Sequence, residues 1–305
     1  MIETAVSSVR VLDVLDAQRW LVIGSAGMLG QDMVAAAATA GAQVTGLDRP
    51  VGGEPGIDIT NYAGTAALIV DGHYDVVVNC AAWTAVDAAE DAEGPAFTVN
   101  AIGAAHVARA AATVGARVVQ ISTDYVFAGD ATEPYAEDAV IAPEGAYGRT
   151  KAAGEWAVKA NSADHLIVRS AWCYGAGGTN FPKTMARLAA SRDVLTVVDD
   201  QQGQPTWTVD IADLIVRLVA AQAPAGTYHG TSQGAVTWHG FAQAVMEALG
   251  SDTRVDPVSS EAFAAKAPRP AYSVLGHDAL RAIGVEPIGQ WDQRWAQAAP
   301  SVLGL

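Results

Sequence analysis

Hydrophobic and polar positions follow two alternating periods along residues 19–170. Short apolar runs typical of buried strands occur at WLVIG, QVTGLD, DVVVNCAA, RVVQIST and HLIVRSAW. The segments between them, such as MLGQDMVAAAATAGA and the Ala-rich residues 94–116, have helical spacing. Strands that alternate with helices of about 10–20 residues predict βαβ units and a parallel sheet. Right-handed crossovers then predict a doubly wound, Rossmann-type α/β fold with ligands at the carboxyl ends of its strands.

The alternation breaks after residue 170, where two loops rich in glycine and polar residues appear, YGAGGTN and DDQQGQPT. A helix (VDIADLIVRLVAAQ) and a late strand (GTYHGT) follow them. We expect residues 1–18 to form an extension and residues 19–170 a Rossmann domain, which residues 207–232 complete. Residues 171–206 and 233–305 are then expected to form a smaller substrate-binding lobe over the ligand edge of the sheet.

Composition narrows the classes of function. The 305 residues carry a formal net charge of −15, which disfavours binding to nucleic acid or to an anionic membrane surface. The chain shows neither a secretory signal nor an apolar stretch of membrane-spanning length, so we expect a cytoplasmic protein. Cys80 and Cys173 lie in apolar stretches and are expected to be reduced core thiols. The six scattered histidines predict no metal site.

A glycine-rich loop, GSAGMLG, places Gly24, Gly27 and Gly30 between an apolar strand and a helix. Glycines allow a tight turn and a close approach to a pyrophosphate, and the helix start supplies free N–H groups. Asp48, at the end of the next strand, would accept hydrogen bonds from the adenosine ribose and favours NADH. Its neighbour Arg49 would pair with a 2′-phosphate and favours NADPH. The sequence therefore predicts a dinucleotide cofactor and leaves the choice between NADH and NADPH open.

A candidate catalytic pair, Tyr147 and Lys151, lies in YGRTK at a spacing that places both side chains on one helical face. Such a pair is common by chance, and its simplest interpretation is a half-buried anchor beside a solvated charge. However, a nearby ammonium would stabilise the phenolate of a tyrosine, whose ordinary pKa is about 10. Ser122 and Thr123 end the preceding strand, at the edge where the cofactor is expected, and a hydroxyl there can polarise a carbonyl. Glycine loop, strand-end hydroxyl and Tyr-Lys helix in this order favour catalysis.

These motifs, with further segments along nearly all of the chain, resemble the extended short-chain dehydrogenases/reductases, and more narrowly the dTDP-4-dehydrorhamnose reductase family. The glycine loop and the Tyr-Lys pair define only the superfamily, whereas NCAAWTAVDAAE, STDYVF and DDQQGQPT are specific. The resemblance implies NADPH- or NADH-dependent reduction of the 4-keto group of dTDP-4-dehydrorhamnose to dTDP-L-rhamnose, in nucleotide-sugar biosynthesis.

The resemblance also assigns roles to residues. Tyr147 is expected to protonate the 4-keto oxygen, Lys151 to lower the tyrosine pKa and bind the nicotinamide ribose, and Thr123 to assist. The implied cofactor contacts are Gly27, Met28, Leu29, Gly30, Asp58, Ile59, Ala82 and Thr84. The implied substrate contacts are Thr123, Asp124, Tyr147, Trp172, Asn180 and, in DDQQGQPT, Gln204.

Two alternatives stay open at this point. The same chemistry could act on another nucleotide-activated 4-keto-6-deoxy sugar, or the fold could serve as a catalytically silent regulatory subunit. Intact Tyr147, Lys151 and Thr123 argue against a silent subunit. Ala88 replaces a lysine that relatives often carry after TAVD, which removes one candidate phosphate contact. A dTDP-sugar is the expected partner, and a homodimer is left open.

Overall fold

The structure, a computed structural model, describes residues 15–50, 56–263 and 265–305. The expected N-terminal extension therefore lies outside the described residues as far as residue 14, and Leu15 is fully buried in the core. The strands are β1 (Arg19–Ile23), β2 (Gln43–Leu47), β3 (Val76–Asn79), β4 (Arg117–Thr123), β5 (His165–Ser170), β6 (Cys173–Tyr174), β7 (Val194–Val198), β8 (Gln202–Gly203), β9 (Thr206–Trp207), β10 (Gly226–His229), β11 (Ser232–Gln233), β12 (Val236–Thr237), β13 (Arg254–Val258) and β14 (Ile288–Gln290). The α-helices are α1 (Met28–Thr39), α2 (Tyr62–Gly72), α3 (Val86–Asp91), α4 (Glu93–Phe97), α5 (Ala104–Thr113), α6 (Ala146–Asn161), α7 (Phe181–Ala189), α8 (Thr208–Ala220), α9 (Trp238–Leu249), α10 (Ser260–Phe263), α11 (Asp278–Ala282) and α12 (Trp291–Leu303).

The central sheet confirms the predicted doubly wound, Rossmann-type fold. Its six strands are parallel and lie in the order β2-β1-β3-β4-β5-β10. The strand order reverses between β1 and β3, so the chain turns away to opposite sides there and leaves a crevice at the carboxyl ends. The late GTYHGT segment supplies the edge strand β10, which pairs with β5.

The strands at the centre are continuous apolar runs because both faces of the sheet are covered. Val76, Val77 and Val78 of β3 are at most 2% exposed. Helices α1 and α8 pack on one face, and α2, α5 and α6 pack on the other. The core thus forms two apolar layers around one sheet, which holds the carboxyl edge rigid.

The predicted helix over residues 94–116 is present, with a six-residue π-helical segment, Thr98–Gly103, between α4 and α5. The backbone oxygen of Asn100, within this segment, lies so close to Gly154 of α6 that any Cβ at Gly154 would collide with it. Local widening of a helix of this kind is frequent at functional sites. Here it brings the α4–α5 stretch into close contact with α6, the helix that carries Tyr147.

A second apolar cluster lies outside the central sheet and is built from α7, α9 and α12 with β7. Strand β7 pairs in parallel with β13. Among the short strands, β6 pairs with β9, β8 with β12, and β11 with β14. In the part of the chain that the structure describes, no helix is both long enough and apolar enough to cross a bilayer.

Candidate active site

The glycine loop forms a tight cradle between β1 and α1. Gly24 has a left-handed φ of +80°, and its N–H donates to the Leu47 oxygen at 2.8 Å. A Cβ added at Gly30 would lie 2.8 Å from the Gly24 carbonyl carbon and from Ser25 Cα, a separation that only glycine avoids. Helix α1 starts at Met28 with Gly27 as its N-cap, and its first turn holds no acidic residue. The exposed N–H groups at this helix start therefore suit a pyrophosphate.

A cavity of about 510 Å³ opens at the point where the strand order reverses. Its volume is in the range of small-molecule and cofactor sites. Seven of the predicted cofactor contacts line it: Gly24, Asp48, Arg49, Asp58, Ile59, Ala82 and Thr84. The structure therefore brings together the glycine loop, the end of β2 and the segment after β3, which are far apart in the sequence.

Both acidic side chains at this cavity bond to the protein itself. The Asp48 carboxylate accepts hydrogen bonds from the backbone N–H of Ala26 at 3.0 Å and from that of Arg49, the next residue, at 2.7 Å. Asp58 accepts the Thr60 N–H at 2.9 Å and the Thr60 hydroxyl at 2.7 Å, which lowers the Asp58 pKa. Asp48 thus braces the phosphate loop as well as facing the cavity, which the sequence pattern did not indicate.

Tyr147 and Thr123 meet at the carboxyl end of β4. The ring of Tyr147 is half-buried and packs edge-on against Tyr125 at a centroid distance of 5.6 Å. Desolvation of its hydroxyl raises the Tyr147 pKa above the ordinary value. A hydrogen bond with the Thr123 side chain lowers this pKa in part, whereas Asp124 and Cys173 raise it further. The phenol therefore carries its proton at neutral pH.

Asp124 lies directly beneath this pair and is 2% exposed. One carboxylate oxygen accepts the Thr123 hydroxyl at 2.9 Å. Burial raises the Asp124 pKa to about 6, against the opposing effects of Ser273 and Thr123. Asp124, which was predicted to contact the substrate, thus bonds to the hydroxyl of Thr123, and both substrate contacts stay predictions.

Lys151 lies one helical turn beyond Tyr147 and is 4% exposed. Its ammonium donates to the main-chain oxygen of Ile121 at 2.6 Å. Burial lowers the Lys151 pKa to about 8, while the Glu155 carboxylate favours the ammonium. No hydrogen bond joins Lys151 to the Tyr147 hydroxyl among the described residues, so the lowering of the tyrosine pKa by Lys151 stays a prediction.

Two predicted substrate contacts lie between β5 and α7, one on each side of β6. Trp172 has a left-handed φ of +46° and stacks on Trp238 at a centroid distance of 3.5 Å and an angle of 8°. Asn180 caps α7 by accepting the Lys183 N–H at 3.1 Å, and it donates to the Gly175 oxygen at 2.7 Å. The π-face and the amide are thus already engaged within the protein, and their contacts with substrate stay predictions.

Gln204, the third such residue, is 1% exposed. Its side-chain oxygen accepts the Leu275 N–H at 2.8 Å, and its NH₂ group donates to the Leu275 oxygen at 3.1 Å. Gln204 therefore clamps the backbone of a segment whose Ser273 lies against Asp124. Its role as a substrate contact stays a prediction.

The cysteines differ from the expectation in one respect. Cys80 is partly buried at the end of β3, and burial raises its pKa to about 12. Cys173, in the two-residue strand β6, is exposed, so the expectation of a core thiol is wrong there. Its surroundings still desolvate the thiol and raise its pKa to about 11. In the described ranges no three His, Cys, Asp or Glu side chains cluster as they would around a metal ion.

Three buried polar residues near the site were missed by the sequence reasoning. Asn100 accepts the Trp83 N–H at 2.8 Å and donates to Thr150 at 3.0 Å, which ties the end of β3 to α6. Glu155 and Arg169 form a buried ion pair behind Lys151. The only available signal was that charged and amide side chains stand in otherwise apolar runs, VNAIG, AAGEWA and LIVRSAW.

Comparison with known proteins places the whole arrangement in a family. The protein-family model described as "RmlD substrate binding domain" matches residues 18–302. The chain belongs to the RmlD family. The RmlD match runs through the Rossmann sheet and the second lobe alike.

Named relatives within the RmlD family are similar over most of their length. The dTDP-4-dehydrorhamnose reductase of Streptomyces griseus is 46% identical over 292 residues, 94% of each chain. The dTDP-4-keto-6-deoxy-D-glucose reductase of Streptomyces niveus is 46% identical over 286 residues, 92% of this chain and 96% of the other. The structure of the Bacillus anthracis dTDP-4-dehydrorhamnose reductase in complex with NADP superposes with a TM-score of 0.88 at 36% identity, covering 92% and 98% of the two chains.

Proposed function

We propose that this chain is a nicotinamide-dependent reductase that converts the 4-keto group of dTDP-4-dehydrorhamnose to the hydroxyl of dTDP-L-rhamnose. One observation carries the proposal: a protonated phenol (Tyr147), a hydroxyl (Thr123) and a buried ammonium (Lys151) lie at the carboxyl edge of a sheet whose switch-point cavity suits a dinucleotide. The names of the RmlD relatives supply the substrate class.

The residues present fit a nicotinamide dinucleotide. The glycine cradle leaves no room for a Cβ, as is required where a backbone approaches a pyrophosphate, and the cavity beside it is bordered by Asp48 and Arg49. When bound, the cofactor supplies the hydride for the sugar C4. The Gly24–Gly30 loop would hold the pyrophosphate, and Asp48 or Arg49 the adenosine ribose.

The protein's own chemistry is proton delivery and orientation. Because Tyr147 carries its proton at neutral pH, it can give that proton to the carbonyl oxygen as negative charge develops there. Thr123 offers a second hydroxyl at the same edge and would fix the carbonyl. Lys151 would hold the nicotinamide ribose, and the proton lost by Tyr147 would be replaced from the solvent side of the cleft.

A second candidate is reduction of another dTDP-4-keto-6-deoxy sugar. It is favoured by the relatives, because the Streptomyces niveus reductase and the Streptomyces griseus reductase are both 46% identical to this chain. A "Probable dTDP-4,6-dihydroxy-2-methyloxan-3-one 4-ketoreductase" of Streptomyces antibioticus is 42% identical. Oxidation of NADPH and NADH should be followed with the dTDP-4-keto-6-deoxy sugars of L- and D-configuration, and the stereochemistry at C4 of each product determined.

Tyr147→Phe tests the proposed proton donor. We expect kcat to fall by about 100-fold or more, the usual contribution of a positioned acid, with cofactor affinity nearly unchanged. Tyr125→Phe is the matched control, since it removes a neighbouring phenol oxygen and keeps the ring packing. Near-normal turnover in Tyr147→Phe would remove Tyr147 from the mechanism, and no NAD(P)H oxidation by the unmodified protein with any of these sugars would refute the proposed function.

Further expectations belong to this proposal. We infer that residues 19–170 with 207–232 form the cofactor domain and that residues 171–206 with 233–305 form the substrate lobe. We expect the protein to act in the cytoplasm. A homodimer stays a prediction that sedimentation equilibrium would test.

A further inference from the structure

One face of α6 carries three functional groups rather than two. Tyr147, Lys151 and Glu155 follow one another at intervals of four residues and therefore line the same face of the helix. This face lies against the last residues of β4. Lys151 donates to the Ile121 oxygen at 2.6 Å, and the Ser122 hydroxyl donates to the Glu155 carboxylate at 2.6 Å.

Tyr147, the first residue of this face, meets Thr123, the last residue of β4. The three contacts therefore join the last three residues of the strand to three turns of the helix, although not in the same order. Ser122 was expected to share the catalytic edge with Thr123, but its hydroxyl turns away from that edge into the core. Of the two neighbouring hydroxyls, that of Thr123 lies beside Tyr147 at the candidate site, and that of Ser122 bonds to Glu155 and anchors the helix.

The anchor is a fully buried ion pair between Glu155 and Arg169. Glu155 is 0% exposed and Arg169 1% exposed. Arg169 Nε donates to one carboxylate oxygen at 2.8 Å and Nη2 to the other at 2.7 Å. Arg169 is also the register partner of Ser122 across the β4–β5 ladder. The pair and the Ser122 hydroxyl thus tie α6 to two adjacent strands at one level of the sheet.

The other side of the guanidinium is also fixed. Arg169 Nη1 donates to the Glu137 oxygen at 3.0 Å and faces His229 Nε2 of β10 at 3.4 Å, while the Phe127 ring lies 4.9 Å away. Burial and the Arg169 charge lower the His229 pKa to about 3, so the imidazole is neutral. Its Nδ1 lies 2.8 Å from the Gly276 oxygen and donates to it, which leaves Nε2 as the acceptor.

Stability alone does not account for a charged pair at this place. Buried ion pairs are often no more stabilising than apolar side chains of the same volume, because desolvation offsets the Coulomb attraction. A buried pair of fixed geometry does, however, specify one arrangement of the elements it joins, and small displacements of reacting groups are costly in rate.

We propose that Glu155 is a positioning residue of the reductase: paired with Arg169 and Ser122, it sets the register of α6 against β4 and holds Lys151 as an ammonium. The proposal rests on the function proposed above for Tyr147, Thr123 and Lys151. It adds a residue that contacts neither substrate nor cofactor and acts through the groups that do.

The charges around Lys151 give this proposal a pH signature. The groups around its ammonium are Glu155 on its own helix, with Arg169 of β5 paired to it, Cys80 from the end of β3 and the Ile121 oxygen from β4. Of these, Glu155 is the anionic carboxylate, and its removal disfavours the ammonium. The Lys151 pKa, about 8 in the intact protein, then falls. As the pH rises, the ammonium is therefore lost earlier, and the alkaline limit of activity moves to a lower pH.

Glu155→Gln is the test, because it keeps the size and the hydrogen-bonding shape of the side chain. We expect kcat to fall about 10- to 100-fold, the effect of sub-ångström to ångström misplacement of reacting groups. We also expect the alkaline limb of the pH profile to move down by about half a pH unit or more, the effect of a unit charge about 6 Å away in water. Because Lys151 would hold the nicotinamide ribose, we expect cofactor affinity to fall as well.

Glu93→Gln is the matched control, since Glu93 of α4 pairs with Arg149 of α6 at the surface, where both side chains are 44% exposed. It should leave kcat and the pH profile unchanged. If Glu155→Gln folds, as judged by circular dichroism and thermal unfolding, and keeps either the normal kcat or the normal alkaline limb, the positioning role is refuted. A purely structural weakening would lower activity equally at all pH values.

Ser122→Ala keeps the test decisive if Glu155→Gln fails to fold. It removes one hydrogen bond from Glu155 and leaves the ion pair, so we expect a folded protein with kcat lowered several-fold. An unchanged kcat would overturn the proposal. In either case the unmodified protein and Tyr147→Phe report separately on the proposed function, so its failure is distinguishable from a failure of Glu155 as a positioning residue.

Discussion

Gly30→Ala is predicted to damage cofactor binding far more than stability. Gly30 lies in the first turn of α1, beneath the loop that would hold the pyrophosphate. An added Cβ would lie 2.8 Å from the Gly24 carbonyl carbon and from Ser25 Cα, and closer still to the Gly24 oxygen. All three atoms are backbone, so the overlap cannot be relieved by a side-chain rotation.

The magnitude follows from these distances. Carbon atoms in ordinary contact are about 3.5–4.0 Å apart, so the Gly24–Ser25 backbone must retreat by about 1 Å. Overpacking of this size costs about 1–3 kcal/mol, of which the better helix propensity of alanine returns about 1 kcal/mol. The free energy of unfolding should therefore fall by about 0–2 kcal/mol. A displacement of about 1 Å at the pyrophosphate cradle should weaken the binding of NADPH and NADH by about 10- to 100-fold.

Cofactor affinity is measured by fluorescence titration and stability by urea unfolding. Gly94→Ala is the control, because a Cβ at Gly94 in α4 meets nothing within 4 Å. It should stabilise the protein by up to about 1 kcal/mol and leave cofactor affinity unchanged. If Gly30→Ala binds both cofactors within twofold of the unmodified protein, the loop does not hold the pyrophosphate in the way the cradle indicates.

Two further predictions concern charge. Asp48→Asn keeps a hydrogen-bond acceptor for the Ala26 N–H while removing the carboxylate, so the kcat/KM ratio of NADPH to NADH should rise; an unchanged ratio would mean that Asp48 does not face the ribose. His229 and His277 are buried, and their pKa values are lowered to about 3 and about 4. Below pH 6.5 the unfolded state therefore binds more protons than the folded state. The free energy of unfolding then decreases as the pH decreases, by about 1.4 kcal/mol per histidine per pH unit. Urea unfolding at pH 7 and pH 5 should show a smaller loss for His229→Gln, and an equal loss would contradict the assignment.

The local pattern predicted the elements around the site with few errors. The apolar runs at Trp20, Val76, Val118 and Leu166 became the four central strands, because a parallel strand buried on both faces needs a continuous apolar segment. The run at Val44 became the edge strand β2. The π-helical segment at Thr98–Gly103 was not predictable from periodicity, because its spacing differs from that of an α-helix by only one residue per turn.

Residue types and their order in the chain predicted which residues lie at the edge of the sheet where the candidate site is. Gly24, Asp48 and Thr84 were expected at one edge and line one cavity. The partners of the polar side chains were not. Trp172 illustrates the limit: its position after β5 indicated an aromatic face at the cleft, whereas Trp238, 66 residues away in the chain, supplies the surface on which it stacks.

The sequence by itself determined the order of strands and helices and which side chains stand at the strand ends, since both follow from local periodicity and from the geometry of parallel sheets. The tertiary structure alone decided the partner of each polar group. Asp48 bonds to a loop 22 residues away, Ser122 to a carboxylate 33 residues away and Gln204 to a backbone 71 residues away. Such pairings depend on the distance between elements after packing, and no short-range pattern of hydrophobic and polar residues carries that distance.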